Sequence, residues 1–531
     1  MEKRVLLAVT LSVAVILLYP VILAKINPDL VKQPKQVQTV TRQEVIEKNI
    51  DVKTKEAAFK NALPENAVSF IASTDKYDLD ITNIGGSVSK IVVKDAKRKS
   101  DITLVNRAIY NTGFLAVDGK GIFSTISSQS FTIQQDKTTV SLETNRIKIE
   151  KIIGFLENRY GIDTVINITN KTSDIQDASF DITTGSNISK DELSEARYIE
   201  LAIQYKDGTN KKLTGNKLLS SNRLYKDNID WIALKNKYYT IIAKPGFNAK
   251  GVFTKNSSGE PVVGFIAEED KILPGETKSY KIDFYIGPME IKELEKMDPG
   301  FSKVLNFGFL TSISLILLGI LQFFYSILHN YGTSILLLTV CINIFLYPLT
   351  FKSMKSMQKL QELQPLMEKI RQENKDNPTK LNKEIMELYK RYKVNPMSGC
   401  LPMVLQMPVF IALYNTLSRS VELKNAGFLW IKDLSMPDAF FHLSSSIPFL
   451  GNAINLLPIL MIGAMILQQK MSQMSAGNSS QTEQQKLIAN IMPVMFGFIF
   501  YSLPSGLVLY WLTSTLVTSS MQFFIFKKTT V

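Results

Sequence analysis

The chain is poor in the two residue types that most often build reactive sites. Its 531 residues include two cysteines, Cys341 and Cys400, and two histidines, His329 and His442. Two cysteines inside or beside apolar segments cannot form a disulfide framework or a thiolate metal cluster. Two histidines exclude most zinc sites and remove the usual general base. The sequence also lacks a phosphate-binding P-loop pattern. We therefore predict no metal, no cofactor and no enzyme activity.

Apolar sequence, by contrast, is abundant. Hydrophobic residues make up 45% of the chain and charged residues 21%, which excludes an intrinsically disordered protein. Lys and Arg number 61 against 48 Asp and Glu, so the net charge is +13. The mean hydropathy of +0.05 averages two different parts. Residues 51–299 are charged and rich in strand patterns, whereas the remainder consists mostly of long apolar runs. This division predicts a membrane protein with one large soluble domain.

An apolar run near the N-terminus predicts the first membrane span. Residues 5–24 follow Lys3 and Arg4 and are long enough to cross a hydrocarbon core of about 30 Å as a helix. A cleaved signal peptide is the alternative, but residues 21–24 lack the small residue required three positions before a cut, and the run exceeds the usual apolar core. We favour an uncleaved signal anchor over residues 1–25. A flexible tether rich in Lys, Gln, Glu and Thr follows over residues 26–60.

Further apolar runs cover residues 305–328, 334–351, 401–417, 456–467, 488–503 and 505–526. Basic residues mark the cytoplasmic side of a membrane, and they cluster at the N-terminus, in 352–393 and in the short tail 527–531. Both termini are then cytoplasmic, which requires an even number of crossings. The linker 329–333 is too short to separate two spans. We therefore predict that 305–328 is an interfacial helix on the outer surface, within a linker over 289–333, and that six transmembrane helices remain, five of them in a core over 334–526.

Residues 61–288 carry the alternation that half-buried strands require. Apolar and polar residues alternate, with turn residues between the stretches. The clearest examples are residues 77–82, 87–92, 131–134, 140–142, 160–168 and 279–285. The pattern predicts an all-β antiparallel sandwich outside the membrane. Such a domain can bind sugars or peptides in a groove, or it can be a scaffold without a ligand. The predicted fold is thus an α-helical polytopic membrane protein with an outer β-sandwich domain.

Residues 352–398 predict a helical hairpin on the cytoplasmic side. Apolar residues recur at steps of three and four from Met354 to Ile370 and again from Leu381 to Tyr392, with a break at 376–378. Eleven basic residues outnumber six acidic ones between 352 and 393. This charge can be a solvated face that fixes topology, or it can form a docking arm for anionic lipid or ribosomal RNA. The candidate docking residues are Lys352, Lys355, Lys359, Arg371, Lys390 and Arg391.

Polar side chains lie at membrane depth in three of the predicted spans. They are Asn343, Gln406, Asn415 and residues 513–515. An unpaired amide in hydrocarbon costs several kcal/mol, so these groups must face one another, water or a polypeptide backbone. Interhelical hydrogen bonding is one explanation, and a partly hydrated interior is the other. Two spans are also short, because 456–467 and 488–503 reach only about 18 and 24 Å, which predicts local bilayer thinning.

Several motifs together resemble the YidC family of membrane protein insertases. The longest is residues 394–402 (VNPMSGCLP), which continues through 406–410 (QMPVF). Residues 347–350 (YPLT), 430–434 (WIKDL) and 504–510 (PSGLVLY) support it. In the outer domain, the GG pair at 85–86 and WIA at 231–233 resemble the periplasmic domain of Gram-negative members, a β-sandwich similar to sugar mutarotases.

The resemblance implies an inner-membrane insertase and chaperone that works alone or with the Sec translocon. Members hold a hydrophilic groove open to the cytoplasm and to lipid, through which a polar client segment passes. The implied partners are nascent membrane proteins, the Sec translocon, the ribosome and anionic lipids. The resemblance places Thr339, Phe410, Met461 and Trp511 at positions that face the client. It places Asn343, Gln406, Asn415 and Ser514 in the groove.

The chain departs from the family pattern in two places. Many members carry an arginine where this chain has Asn343, and asparagine cannot attract an acidic tail by charge. Hydration and bilayer thinning are therefore the favoured mechanism. The chain also ends soon after Lys527 and Lys528, whereas some members have a long basic tail that holds ribosomes. Ribosome contact then falls to the hairpin and to residues 468–486.

Two other classes of function remain as alternatives. An intramembrane protease needs an HExxH motif, or a serine with a nearby histidine, inside the membrane, and His329 and His442 do not lie at such positions. A transporter is the more serious alternative, since polar residues and broken helices also mark solute pathways. Against it, the sequence shows no inverted repeat, and no Asp or Glu lies deep in any predicted span.

Overall fold

The computed structural model divides the chain into two compact units, and the boundary between them in sequence lies after Leu305. It describes residues 67–529, except 99, 106–112, 135–137, 187, 189–197, 221, 258, 307–309, 375–376, 396–400, 448–450 and 475–482. The predicted signal anchor over 1–25 and the tether over 26–60 lie outside the described residues.

The first unit is rich in β-strands, as the alternation predicts. Its strands are β1 (Ser69–Ser73), β2 (Tyr77–Thr82), β3 (Ser87–Asp95), β4 (Ser100–Val105), β5 (Val117–Gly119), β6 (Thr132–Ile133), β7 (Thr139–Glu143), β8 (Ile147–Phe155), β9 (Gly161–Asn170), β10 (Gln176–Ser186), β11 (Glu200–Tyr205), β12 (Asn210–Thr214), β13 (Asn222–Tyr225), β14 (Ile229–Lys235), β15 (Tyr239–Pro245), β16 (Gly251–Ser257), β17 (Glu260–Ile272) and β18 (Thr277–Pro288). Two short helices, α1 (Asn216–Leu219) and α2 (Ile291–Met297), complete it.

The strands form three antiparallel sheets. A four-stranded sheet has the order β1-β2-β3-β4, and a five-stranded sheet has the order β13-β16-β17-β10-β5. The largest sheet has nine strands in the order β12-β11-β14-β15-β18-β9-β8-β7-β6. Strand β9 shows why the alternation predicted this fold. Ile162, Ile166 and Ile168 are fully buried on one face, while the residues between them are partly exposed.

Both smaller sheets pack against the nine-stranded sheet. The rings of Phe180 on β10 and Tyr280 on β18 lie 5.0 Å apart, which joins the five-stranded sheet to the large one. The four-stranded sheet also contacts the large one, because the Tyr77 hydroxyl of β2 donates to the Ile286 carbonyl of β18 at 2.8 Å. Edge-to-face aromatic pairs of this kind contribute about 0.5–1.5 kcal/mol beyond their buried area. The core of the unit therefore lies between the large sheet and the two smaller ones, on the face that carries Ile166 and Tyr280.

A buried lysine of the large sheet donates hydrogen bonds to the turn between β2 and β3. Lys151 on β8 is 1% exposed, and its Nζ donates to the carbonyls of Gly85, Gly86 and Leu115 at 2.6, 3.0 and 2.9 Å. Burial lowers the pKa of the Lys151 amine to about 7, since the charged form loses its hydration. Gly85 and Gly86 have φ of 67° and 51°, a conformation that glycine adopts without strain. The GG motif is therefore a structural turn.

The second unit is mainly helical. Its helices are α3 (Thr311–Leu328), α4 (Tyr331–Glu362), α5 (Gln364–Glu373), α6 (Pro378–Arg391), α7 (Leu401–Arg419), α8 (Leu456–Met474), α9 (Glu483–Phe500) and α10 (Ser505–Thr529). A two-stranded sheet of β19 (Phe441–Ile447) and β20 (Gly451–Ile454) lies between α7 and α8. The predicted division into a β-rich domain and a helical membrane region is therefore confirmed.

Among the described residues, three helical stretches are long and apolar enough to cross a membrane. They are Thr311–Leu328, Tyr331–Leu360 and Ser505–Ile525. Helix α4 has 32 residues and is about 48 Å long at 1.5 Å per residue, so it extends well beyond the hydrocarbon core. Helices α8 and α9 have 19 and 18 residues, which is longer than the apolar runs that predicted short spans. Polar residues continue both helices, so the runs alone underestimated their lengths.

Helix α3 differs from the predicted segment 305–328. It begins at Thr311 because a 3₁₀ turn over Pro299–Val304 precedes it. One face packs on α7, where the Ser314 hydroxyl donates to the Ala412 carbonyl at 3.1 Å. The opposite face exposes Ile316, Phe323 and Ile327, each about 60% exposed. Its length and composition suit a span as well as an interfacial helix, so its predicted surface position stays a prediction.

The predicted pair of amphipathic helices is present as α5 and α6. Leu363, Leu388 and Val394 form a small buried cluster between them, which the apolar periodicity anticipated. The Asn377 side chain accepts from the Lys380 amide at 3.0 Å and caps α6. The first predicted helix differs in one respect, because residues 352–362 continue α4 without a break. The turn to α5 comes at Leu363.

Candidate functional site

Helix α10 presents a stripe of polar side chains inside an otherwise apolar helix. Tyr510, Ser514 and Thr518 recur at intervals of four residues and therefore share one face. The intervening hydroxyls are satisfied within the helix: Thr513 donates to the Leu509 carbonyl at 2.7 Å, and Thr515 donates to the Trp511 carbonyl at 2.9 Å. This local bonding lets several Ser and Thr residues sit in one helix. The stripe itself is directed to neighbouring helices.

Asn343 on α4 is hydrogen-bonded to this stripe. Its Nδ2 donates to the Ser514 hydroxyl at 3.2 Å and to the Thr339 carbonyl, one turn earlier on its own helix, at 2.8 Å. Its Oδ1 accepts from the Thr518 hydroxyl at 3.4 Å. Both ends of the amide therefore have partners. This arrangement matches the interhelical hydrogen bonding that the sequence left open as an explanation of Asn343.

Gln406 on α7 joins the other end of the stripe. Its Nε2 donates to the Tyr510 hydroxyl, and Tyr510 is fully buried. We call the five side chains Asn343, Gln406, Tyr510, Ser514 and Thr518 the polar cluster. Helix α10 is central to the polar cluster, because each hydrogen bond between helices joins a residue of α10 to a residue of α4 or α7.

An aromatic group lies beside the polar cluster on the next face of α10. The Trp511 ring centroid is 5.2 Å from that of Phe410 on α7, and it is 5.7 and 5.1 Å from Phe496 and Phe500 on α9. Phe410 and Trp511 are both partly exposed. The four rings form an apolar surface next to the polar groups, so polar and apolar contacts are available side by side.

The segments that surround the polar cluster carry no charged side chains. Residues 331–351, 401–418, 456–469 and 488–526 contain no Asp, Glu, Lys or Arg. The polar cluster therefore offers only neutral donors and acceptors. Such groups can replace the hydration of a passing polar segment, but they cannot attract a charged one over distance. The region also offers no ionised base or nucleophile.

The structure brings together only some of the predicted groove residues. Asn343, Gln406 and Ser514 lie in the polar cluster, and Phe410 contacts Trp511. Thr339 and Met461 have no exposed surface in this conformation, and their client-facing role stays a prediction. Asn415 lies nine residues after Gln406, which puts it about 180° around α7. It therefore points away from the cluster and is separate from the predicted groove.

Sequence reasoning missed Tyr510, Thr518 and the two rings of α9. Tyr510 is the last residue of the motif at 504–510. Its role in the cluster comes from the hydrogen bond with Gln406, which the motif does not reveal. Thr518 lies four residues after Ser514, and this spacing is the one signal that could have added it. Phe496 and Phe500 also follow helical spacing, yet nothing in sequence distinguishes them from ordinary lipid-facing residues.

The predicted docking residues lie on two different elements. Lys352, Lys355 and Lys359 are exposed on the extension of α4, whereas Arg371 on α5 is partly buried. Lys390 and Arg391 are exposed at the end of α6. All six are separate from the buried cluster of Leu363, Leu388 and Val394. The basic residues therefore form a solvated surface around an apolar hairpin core.

An open cavity in the described part of the β-rich unit is large enough to hold a ligand. It measures about 760 Å³ and is lined by Tyr205, Thr209, Asn210, Lys211, Arg223, Leu224 and Lys226. Lys226 lies 3.8 Å from the Tyr205 ring centroid and 3.5 Å from Asp207, while Arg223 pairs with Asp181 at 3.0 Å. Acidic partners thus offset two of its three cations. The cavity does not single out a class of ligand, and the choice between ligand site and scaffold stays open.

Metal binding finds no support in the part of the chain that the structure describes. No group of three or more His, Cys, Asp or Glu side chains is placed to hold an ion there.

Comparison with known proteins matches both units to one family. The family model described as 60Kd inner membrane protein matches residues 323–530, and the one described as YidC periplasmic domain matches residues 71–319. A protein of Syntrophobacter fumaroxidans named Membrane protein insertase YidC is 36% identical over 323 residues. This alignment spans 60% of the present chain and 57% of that relative.

A second relative covers nearly the whole chain. A protein of Geotalea uraniireducens, also named Membrane protein insertase YidC, is 30% identical over 557 residues and 99% of both chains. Among solved structures, an active YidC insertase with its first transmembrane domain resolved shares 19% identity, with a TM-score of 0.39 over 89% of this chain and 99% of that one. The full-length sequence identity carries the assignment. The chain belongs to the YidC family of membrane protein insertases.

Proposed function

We propose that this chain inserts membrane proteins, and assists their folding, through the polar cluster between α4, α7 and α10. Proteins of this family are inner-membrane insertases with a periplasmic domain, and they are not enzymes. The observation that carries the proposal is the neutral polar stripe of α10, whose members bond Asn343 and Gln406 within helix segments that contain no Asp, Glu, Lys or Arg. A polar client segment can exchange with these contacts one at a time.

The cluster acts by lowering a desolvation barrier. Moving a polar segment into hydrocarbon without hydrogen-bond partners costs several kcal/mol per group. Neutral donors and acceptors at membrane depth supply partners for such a segment, while the rings of Phe410 and Trp511 provide an apolar surface for the segment that stays in lipid. Local thinning of the bilayer would shorten the path. Asn343 makes this a mechanism of hydration rather than of charge attraction.

The proposed topology has six transmembrane helices and both termini in the cytoplasm. The strongly basic stretch 352–393 supports this orientation, because it lies in one connection between apolar helices. The β-rich unit is then periplasmic, and α3 lies along the outer surface before α4 crosses the membrane.

The proposed partners follow from the same orientation. Nascent membrane proteins are the clients, received alone or beside the Sec translocon. The exposed basic residues of α4 and α6 face the cytoplasm, where they meet ribosomal RNA or anionic lipid headgroups. Residues 468–486 are a second proposed contact for the ribosome.

The test uses purified full-length protein in liposomes with a small single-span client synthesised alongside. Protease protection of the translocated tail measures insertion. We expect Asn343→Leu combined with Gln406→Leu to lower protection about tenfold, because each loss leaves polar groups of client or protein without partners in hydrocarbon. Asn415→Leu is the matched control, since it removes an amide from α7 outside the cluster.

Three outcomes would oppose the proposal. Insertion that is unaffected by the double substitution, with folding confirmed, would remove the cluster from the mechanism. Equal losses from Asn415→Leu and from the double substitution would show a general effect on the membrane unit. Loss of a solute flux with intact insertion would favour a transporter.

A further inference from the structure

The connection between α7 and α8, residues 420–455, is an ordered cap over the ends of several helices. The structure describes it except for residues 448–450. Val421, Leu423, Ile431 and Leu434 are at most 2% exposed, so this connection is packed rather than loose. The amides of Ser505 and Gly506, at the start of α10, donate to the carbonyls of Met436 and Leu434 at 2.8 and 2.9 Å. The cap is therefore held to the beginning of α10.

A carboxylate fixes the cap to the first turn of α8. Asp438 Oδ2 accepts from the amides of Leu456 and Leu457 at 2.7 and 3.0 Å, and from the Trp430 indole at 3.2 Å. These amides lack partners within the helix, so the carboxylate caps it. Trp430 and Asp438 consequently lie at the level where apolar helix α8 begins. In a membrane, this level is the boundary of the hydrocarbon.

Three large apolar side chains project from this otherwise well-packed cap. Leu429, Phe440 and Phe441 are 76%, 56% and 58% exposed. The ring of Phe440 packs edge-on against Trp430, with centroids 6.3 Å apart. We call these three residues the apolar tips. Water is an unfavourable neighbour for so much apolar surface in one short connection.

Leu429 is also in an unfavourable backbone conformation. Phe428 and Ile431 exchange two backbone hydrogen bonds, at 2.9 and 2.8 Å, and close a turn with Leu429 at φ of 52°. The left-handed region is unfavourable for a residue with a branched side chain, and Gly or Asn is the usual occupant. A leucine that is both strained and exposed indicates a contact that offsets these costs.

We propose that the apolar tips insert into the membrane–water interface and hold the cap at the lipid headgroups. Ile459 and Leu460 are exposed in the first turns of α8, the helix whose start the cap holds through Asp438. Tryptophan and other aromatic residues prefer this interface. Lys432 is exposed next to the turn, where its charge can meet lipid phosphate. The inference rests on the helices crossing a membrane, and it does not depend on insertase activity.

Fluorescent probes in proteoliposomes test this contact with the full chain. In a background of Cys341→Ser and Cys400→Ser, a polarity-sensitive dye is attached at Leu429→Cys or Phe441→Cys. Phe345→Cys, on a side chain 82% exposed in the middle of α4, is the reference for deep lipid. Lys120→Cys, on an exposed turn of the β-rich unit, is the reference for water. Lipids brominated near the glycerol end or near the chain end serve as quenchers.

We expect blue-shifted emission at Leu429 and Phe441, with more quenching by bromine near the glycerol end than by bromine near the chain end. Phe345 should show the reverse order, and Lys120 should show no quenching. The two tip sites are independent, so a folding defect at one leaves the other informative. Water-like emission at both sites would overturn the proposal. Emission that shifts only when a client is added would instead assign the tips to client contact.

Discussion

Asn343 and Ser514 link helices α4 and α10 at membrane depth, with Asn343 Nδ2 donating to Ser514 Oγ at 3.2 Å. Thr518 donates to the same amide from one turn further along α10. The contact between the helices is therefore specific in register, and it consists entirely of neutral groups. A client that enters between these helices must replace these bonds.

We expect Asn343→Ala and Ser514→Ala to be coupled in a double-mutant cycle. Hydrogen bonds between membrane helices contribute about 0.6 kcal/mol on average, so the coupling energy should be of that order. Reversible unfolding in mixed micelles measures it. Thr513→Ala is the control, because Thr513 bonds the carbonyl of its own helix. Additive effects of Asn343→Ala and Ser514→Ala would show that their hydrogen bond contributes nothing measurable.

Replacing the neutral amide with a cation should change the choice of client. Asn343→Arg places a positive charge where an acidic tail passes, and an added attraction of about 1 kcal/mol corresponds to a roughly fivefold faster insertion. Insertion of two clients that differ only in tail acidity measures the effect. Asn343→Met, which is neutral and long, is the control. The advantage should shrink with added salt. Equal gains for both tails would contradict an electrostatic origin.

The exposed basic residues should determine ribosome binding. A variant with five substitutions to Gln, at Lys352, Lys355, Lys359, Lys390 and Arg391, should co-sediment more weakly with ribosomes. Its affinity should also depend less on salt. The slope of log affinity against log salt concentration should fall by up to about 0.7–0.9 for each phosphate contact that is lost. A control with the same change of net charge replaces Lys206, Lys211, Lys212, Lys217 and Lys226 in the β-rich unit. An unchanged affinity, or an equal loss in the control, would show that the surface of α4 and α6 has no specific role.

Lys151 should make the stability of the β-rich unit depend on pH. The folded pKa is lowered to about 7 from 10.5, so between these values the unfolded chain binds a proton that the folded chain does not. Stability should therefore rise with pH in this window, by at most ~1.4 kcal/mol per pH unit, and level off below pH 7. The three carbonyls around Nζ favour the ammonium and oppose the shift.

Urea unfolding tests this dependence through the emission of buried Trp231, in a background of Trp430→Phe and Trp511→Phe. Lys151→Met should remove the rise between pH 7 and 10.5. Lys148→Met, on the same strand and partly exposed, should keep it. Parallel pH profiles for wild type and Lys151→Met would show that the pKa of Lys151 is close to its ordinary value.

Local sequence was sufficient to predict the elements of both units. Alternation over residues 77–82 and 160–168 predicts strands that the structure contains as β2 and β9, because one side of a strand must be buried. Apolar spacing from Met354 to Tyr392 predicts the helices around Leu363 and Leu388 in the same way. Helix ends were less predictable, since polar residues continue α8 and α9 beyond the apolar runs.

The sequence by itself determined that this chain joins a β-rich domain to an insertase whose membrane spans carry no charge. Charge content and ordered motifs are local properties of the chain, so they can be identified without the structure. Tertiary structure alone decided which polar groups meet. Gln406 and Asn415 are both amides of α7, yet it is the packing of α10 that joins Gln406 to Tyr510. Tyr510 and Thr518 likewise gain their roles from helices more than 100 residues away. Contacts between distant segments depend on how helices pack, and spacing within one segment carries no information about that packing.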